Sequence, residues 1–178
     1  MRVLVAYETA HGSTEEIAQA MAETLRECGA EAEVIRCRDV REVEDYDAVI
    51  VGAPVWGGQW LRPARKFVKR FEEALAQQPV AYFHTSGAAG EPDQRDEVVR
   101  IMNAHLPGYA PSVEPVSVAA FGGGIDYSKY NLGLRMLMKA IGGRGGGPTS
   151  GRHDMRDWDA IRAWARKTCR VFGERVEG

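Results

Sequence analysis

The residues best able to do chemistry sit in short stretches bearing glycine. The first is Thr9-Ala10-His11-Gly12-Ser13-Thr14, which joins an apolar run directly to a helical one. A helix starting there presents amides with no intrahelical acceptor, and the positive end of its dipole reinforces them. The hydroxyls of Thr9, Ser13 and Thr14 can add further bonds, so a phosphate suits the loop. No lysine follows Gly12, which excludes the P-loop of nucleoside triphosphatases, and the G-x-G-x-x-G spacing of dinucleotide folds is missing. The plainer reading is a helix cap by Ser13 or Thr14, and this loop alone leaves both readings open.

A second stretch, Gly52-Ala53-Pro54-Val55-Trp56-Gly57-Gly58-Gln59-Trp60, carries two tryptophans. Trp56, between Pro54 and the glycine pair, offers a flat stacking surface for a planar ring, whereas Trp60 is expected to pack onto the following helix. Thr85-Ser86-Gly87 and Gly122-Gly123-Gly124 contribute small residues with free amides and no charged side chains. No Ser/His/Asp ordering and no metal-ligand spacing occurs, and His11 and His84 read as a loop and a strand-end polar residue without a proton-transfer role. A phosphate grip and a stacking platform with no catalytic side chain imply a bound cofactor that carries the chemistry.

These stretches need elements to hold them. Arg2–Tyr7, Ala48–Gly52, Val80–His84 and Val116–Phe121 read as buried strands, and Glu31–Arg36 as an outer one. Helical spacing covers residues 14–28, 62–76, 93–106 and 157–172. Five strands alternating with helices predict an α/β open parallel sheet, doubly wound, and in such sheets ligands bind beyond the carboxyl ends of the strands. The glycines agree: Gly12, Gly57, Gly58, Gly87, Gly90, Gly122, Gly123 and Gly124 lie in loops leaving the strands, whereas the loops entering them hold only Gly29 and Gly108. Residues 1–178 read as one domain with an insert at about 126–152: an apolar helical stretch, Asp126 to Ile141, then the glycine-rich Gly142 to Arg152, expected to be mobile.

Composition narrows the function. Lys plus Arg number 23 against 25 Asp plus Glu, a net charge of −2, which excludes nucleic-acid binding by phosphate neutralisation. Cys28, Cys37 and Cys169 are scattered and imply a reducing compartment. With no signal-peptide pattern and no apolar run of about 18 residues, a cytoplasmic location is expected.

Tyr7, Thr9, Gly12, Thr14 and Ala18 fit the pattern aromatic-x-[Ser/Thr]-x-x-Gly-x-Thr-x-x-x-Ala, and on these residues the chain resembles the flavodoxin-like family, departing from it at Ala6. The resemblance implies strand order 2-1-3-4-5 and FMN as cofactor. By it, Thr9, Ala10, His11, Gly12, Ser13 and Thr14 hold the phosphate. Pro54, Val55, Trp56, Gly57 and Gly58 with Thr85, Ser86 and Gly87 border the isoalloxazine, and Ala53, Gly122 and Gly123 complete the set.

Within that family the chain is most similar to the menaquinone-dependent protoporphyrinogen oxidases, through Phe121, Gly123, Tyr127, Tyr130, Gly142-Gly143 and Asp157-Trp158. Asp126 stands where those enzymes have a basic residue. The likeness implies an oxidoreductase of heme biosynthesis that passes electrons from a small organic substrate through FMN to a quinone or another acceptor. The stripe Leu134, Leu137, Met138 and Ile141 suits packing on the core or on a second subunit. Docking at the inner face of a membrane through residues 129–144 is the sharper alternative. A flavodoxin-type electron carrier and a small NAD(P)H-dependent quinone or flavin reductase are the competing functions. The near-neutral charge argues against the carrier, which needs a one-signed docking surface.

Overall fold

The fold is described from a computed structural model, in which residues 1–126 and 152–176 are placed. The Tyr127 and Tyr130 features, the apolar stripe, the 129–144 surface and the linker up to Gly151 lie outside the described residues. β1 (Arg2–Tyr7) is buried from Val3 onward, as a strand with neighbours on both edges and helices on both faces must be. It pairs in parallel with β2 (Glu31–Arg36) and β3 (Ala48–Trp56). β5 (Val80–Ser86) and β6 (Ser117–Gly122) extend the parallel sheet in the order β2-β1-β3-β5-β6, while β4 (Gln59–Trp60) pairs only with the end of β3. Leaving aside β4, this is the predicted 2-1-3-4-5 arrangement.

Alternate residues of the central strands feed two cores. Val3, Val5 and Ile50 face α1 (Ser13–Glu27) and α5 (Trp158–Val176), packing on Ile17, Met21, Leu25, Ile161 and Phe172. Leu4, Val49 and Val51 face α2 (Arg62–Arg70) and α4 (Arg95–His105), packing on Phe67, Val68 and Met102.

The structure differs from the expected elements in three places. The helix expected over residues 62–76 breaks at Phe71 (φ −105°, ψ 18°), whose ring packs on Phe67 at 5.2 Å, and a single further turn, α3 (Glu72–Leu75), follows. Arg152, expected within a mobile linker, begins the short strand β8 (Arg152–Asp154), which pairs antiparallel with β7 (Gly124–Asp126).

The third difference shapes the site. β3 does not stop at Gly52 but runs on to Trp56 and turns back through Gly57 and Gly58. Both glycines have positive φ (56° and 76°), the two-residue reversal that matches the twist of the flanking strands. The hairpin is pinned by Trp60, which is 1% exposed; expected on the following helix, it instead has Tyr82 and His84 of β5 and Tyr109 as its ring partners. Its indole Nε1 donates to His84 Nδ1 at 2.8 Å, its ring meets Tyr82 edge-on at 5.2 Å, and its amide donates to the Tyr109 hydroxyl at 3.3 Å.

Burial pushes His84 down to about 3, so the imidazole stays neutral in the fold. The unfolded chain takes up a proton near about pH 6.5, so this residue's contribution is complete above that value. It is lost as pH falls toward 3, by up to about 1.4 kcal/mol per pH unit. Replacing His84 with Gln, which keeps an acceptor for Trp60, is expected to flatten the fall in the urea unfolding midpoint between about pH 7 and about pH 5.

Candidate functional site

Because the sheet is parallel, the ends of β1, β3, β5 and β6 open at one edge, and the loops leaving them enclose a cleft of about 310 Å³. Ala10, His11, Ser13 and Thr14 form one wall, at the start of α1. Pro54, Val55, Trp56 and Gly57 form the opposite wall, and Thr85, Ser86, Gly87 and Gly123 close the floor and far side together with Gly124. Twelve of the seventeen expected residues therefore line one cavity, and Gly124 joins them.

The remaining five act beneath or beside it. Thr9 is buried, and its Oγ1 accepts the Gly12 amide at 2.8 Å, which shapes the loop. Gly12 (φ 96°) caps α1 and borders a groove on the other side of that helix. Ala53 is buried inside β3, and Gly58 completes the hairpin turn. Gly122 is covered by the Met155 backbone, whose carbonyl would overlap a Cβ at that position.

The start of α1 leaves several backbone amides without partners in the helix. Gly12 N–H is taken by Thr9, while the first amides of the helix lack intrahelical acceptors. At the base of the cleft the Thr14 and Thr85 hydroxyls share a hydrogen bond of 2.9 Å, so both are held pointing into the same small space. The Trp56 side of the cleft is different in kind. Trp56 is 42% exposed, a large apolar ring held at the rim by the β3–β4 hairpin. No cluster of three or more His, Cys, Asp or Glu suited to a metal ion occurs among the described residues.

Four supporting residues were not read from sequence. Glu8 is 2% exposed, and its Oε1 accepts Arg36 Nε at 2.8 Å while Arg36 Nη2 donates to the Thr9 carbonyl at 2.9 Å, tying the loop before α1 to β2. The parallel register that sets Tyr7 beside Arg36 brings them together. Arg156, nearly buried, donates to Asp154 (2.7 Å) and Glu16 (2.5 Å) and lies over the Trp158 ring at 4.5 Å. It clips the chain entering α5 to the first turn of α1. Met155, just before it, donates its amide to the Gly123 carbonyl at 3.2 Å. The one local hint is the run of acidic, basic and aromatic residues at 154–158, which an ordinary helix start also carries.

A family model described as flavodoxin domain matches residues 4–151. Protoporphyrinogen IX dehydrogenase [quinone] of Escherichia coli (strain K12) is 28% identical over 173 residues, covering 94% of each chain. Among solved structures, oxidised flavodoxin 2 from Bacillus cereus has a TM-score of 0.62 at 22% identity, covering 97% of this chain and 100% of that one. A flavoprotein in complex with FMN from Lactobacillus acidophilus NCFM has a TM-score of 0.52 at 17% identity, covering 67% of this chain and 92% of that one.

A Gly122→Ala substitution is expected to push the Met155 segment off the end of β6 and to destabilise the fold by about 1–3 kcal/mol, the usual range for overpacking. Thermal melting reads the stability loss, and chemical shifts of Met155 and Gly123 read the displacement.

Proposed function

The chain belongs to the flavodoxin-domain family, and from that premise we propose that it is an FMN-dependent oxidoreductase of the protoporphyrinogen dehydrogenase (quinone) kind. In this reading the reaction moves reducing equivalents from a small organic substrate to a quinone. The observation that carries the cofactor is the paired Thr14 and Thr85 hydroxyls at the start of α1, beneath amides that have no intrahelical acceptor. A phosphate monoester seated there gains charge-assisted bonds and the favourable end of the helix dipole.

Ser13 and Thr14 would hold the phosphate, and Trp56 with Gly57 on one side and Ser86 with Gly87 on the other would border the ring. The flavin supplies the redox chemistry when bound; the protein's own residues bind and orient it. Tyr7, whose hydroxyl is pushed up to about 12 by burial and by its bond to Glu15, stays protonated beside the loop and adds no negative charge there. The relative named for protoporphyrinogen and quinone matches along nearly the whole chain, which favours the enzyme over a plain electron carrier. The near-neutral net charge of −2 points the same way. In this reading residues 1–178 act as a single domain with an insert at about 126–152.

Titration of the purified protein with FMN, followed by the visible flavin band, is expected to give stoichiometric binding; an unshifted band would overturn every redox reading. Thr14→Val should weaken FMN by about 1–3 kcal/mol if the hydroxyl contacts phosphate, and unchanged affinity would reduce it to a packing role. Anaerobic turnover of protoporphyrinogen with a menaquinone analogue, compared with NADPH plus quinone, separates the enzyme readings.

A further inference from the structure

The cleft that suits FMN is lined by no lysine or arginine. A substrate carrying carboxylates must therefore be met elsewhere on the same rim. Among the described residues, most cations around that rim are already neutralised. Arg36 is bound to Glu8, Arg95 to Asp157 (3.1 Å), and Arg156 to both Asp154 and Glu16. Arg162 lies in a groove beside α1 that also presents Glu15, Glu16 and Glu23, which repel an anion.

One surface differs. α2 carries five cations and no carboxylate in nine residues, and Arg62, Lys66 and Arg70 follow one another at four-residue spacing along a single exposed ridge. Neither Arg62 nor Lys66 has an ion-pair partner among the described residues. Facing this ridge is Arg38, just beyond the end of β2, half exposed and 3.6 Å from Glu8. Between ridge and Arg38 runs a groove of about 460 Å³ whose apolar floor is Pro63, Phe67 and Phe71. That size falls within the range of ligand sites. The acidic residues nearest in sequence on these segments are Asp39 and Glu42 on the loop after β2 and Glu72 beyond α2, and none of them lines the groove. Arg38 lies just beyond the carboxyl end of β2, and α2 starts two residues after Trp60, which pairs with Val55 in the extended end of β3 and anchors the Trp56 hairpin.

We propose that this groove is the carboxylate-binding subsite of the enzyme: Arg62, Lys66, Arg70 and Arg38 receive the acid groups of an apolar dicarboxylate tetrapyrrole, whose macrocycle then lies toward Trp56 and the cleft. The assignment rests on the dehydrogenase reading above and deepens it, by naming the residues that select a diacid. Guanidinium groups suit carboxylates because they bind them in bidentate fashion, and the apolar floor suits the macrocycle.

The test uses the full chain loaded with FMN. Arg62→Gln combined with Lys66→Gln removes two unpaired surface charges and should leave folding and FMN affinity intact. Lys69→Gln, on the same helix but outside the groove, is the control. Binding of protoporphyrin IX and of its dimethyl ester is followed by porphyrin fluorescence, and KM and kcat are measured with protoporphyrinogen IX and a soluble quinone. The double variant is expected to bind the diacid at least about tenfold more weakly and to raise KM similarly with kcat little changed. Ester binding and the KM for quinone should not move, and Lys69→Gln should match the parent protein. Normal turnover with unchanged diacid binding in the double variant, or an equal loss in Lys69→Gln, overturns the groove assignment and leaves the dehydrogenase reading standing. Failure of the parent protein to bind the porphyrin or to oxidise protoporphyrinogen overturns the substrate reading, and the subsite with it.

Discussion

A helix that begins directly at the end of a buried parallel strand has amides that its own turns cannot satisfy, and nearly everything else at the rim of this protein depends on how they are held. β1 delivers the chain to Gly12 with Val3 through Ala6 fully buried, so α1 cannot shift without disturbing the sheet. Glu8 and Arg36 fix the intervening loop from one side, Arg156 fixes the first turn of α1 from the other, and the Thr14 to Thr85 bond joins that turn to β5. The cost of ordering this region is met by packing and ion pairs outside the cleft, so the loops that line it are held by neighbouring elements.

The two tryptophans of the β3–β4 hairpin show one small motif serving opposite needs. Trp60 is buried among Tyr82, His84 and Tyr109, where its N–H finds an acceptor, and this anchors the hairpin. Trp56, four residues earlier and across the glycine turn, is left at the rim with its ring accessible. An anchored turn is what allows a large apolar side chain to stand exposed in a fixed place, as a stacking surface requires.

Charge is distributed with the same economy. The overall balance is close to neutral, yet the rim is not uniform: the cation-free cleft lies on one side of the hairpin and the acid-free helix α2 follows it in the chain. Ion pairs remove Arg36, Arg95 and Arg156 from competition for anions, so among the described residues α2 carries a cluster of positive charge with no carboxylate of its own. Exposed unpaired charges of this kind add little to stability, so their clustering is better understood through what they attract.

Much of the architecture was legible in the chain itself. Apolar runs of two-sided strands, the 3.6-residue spacing of α1, α2, α4 and α5, and glycines concentrated beyond strand ends are consequences of local geometry and burial, and they led to the sheet, its helices and twelve of the cleft's residues. What stayed hidden depends on groups far apart in sequence: Arg36 meets Glu8 across 28 residues, His84 meets Trp60 across 24, and Thr14 meets Thr85 across 71. The cover that Met155 lays over Gly122 belongs to the same class. Short windows encode which face of an element must be buried, because that is a property of consecutive side chains. Which buried faces meet, and which polar groups are thereby brought within bonding distance, is decided by strand register and by the path of the chain across the sheet. Those exist only once the tertiary structure has formed.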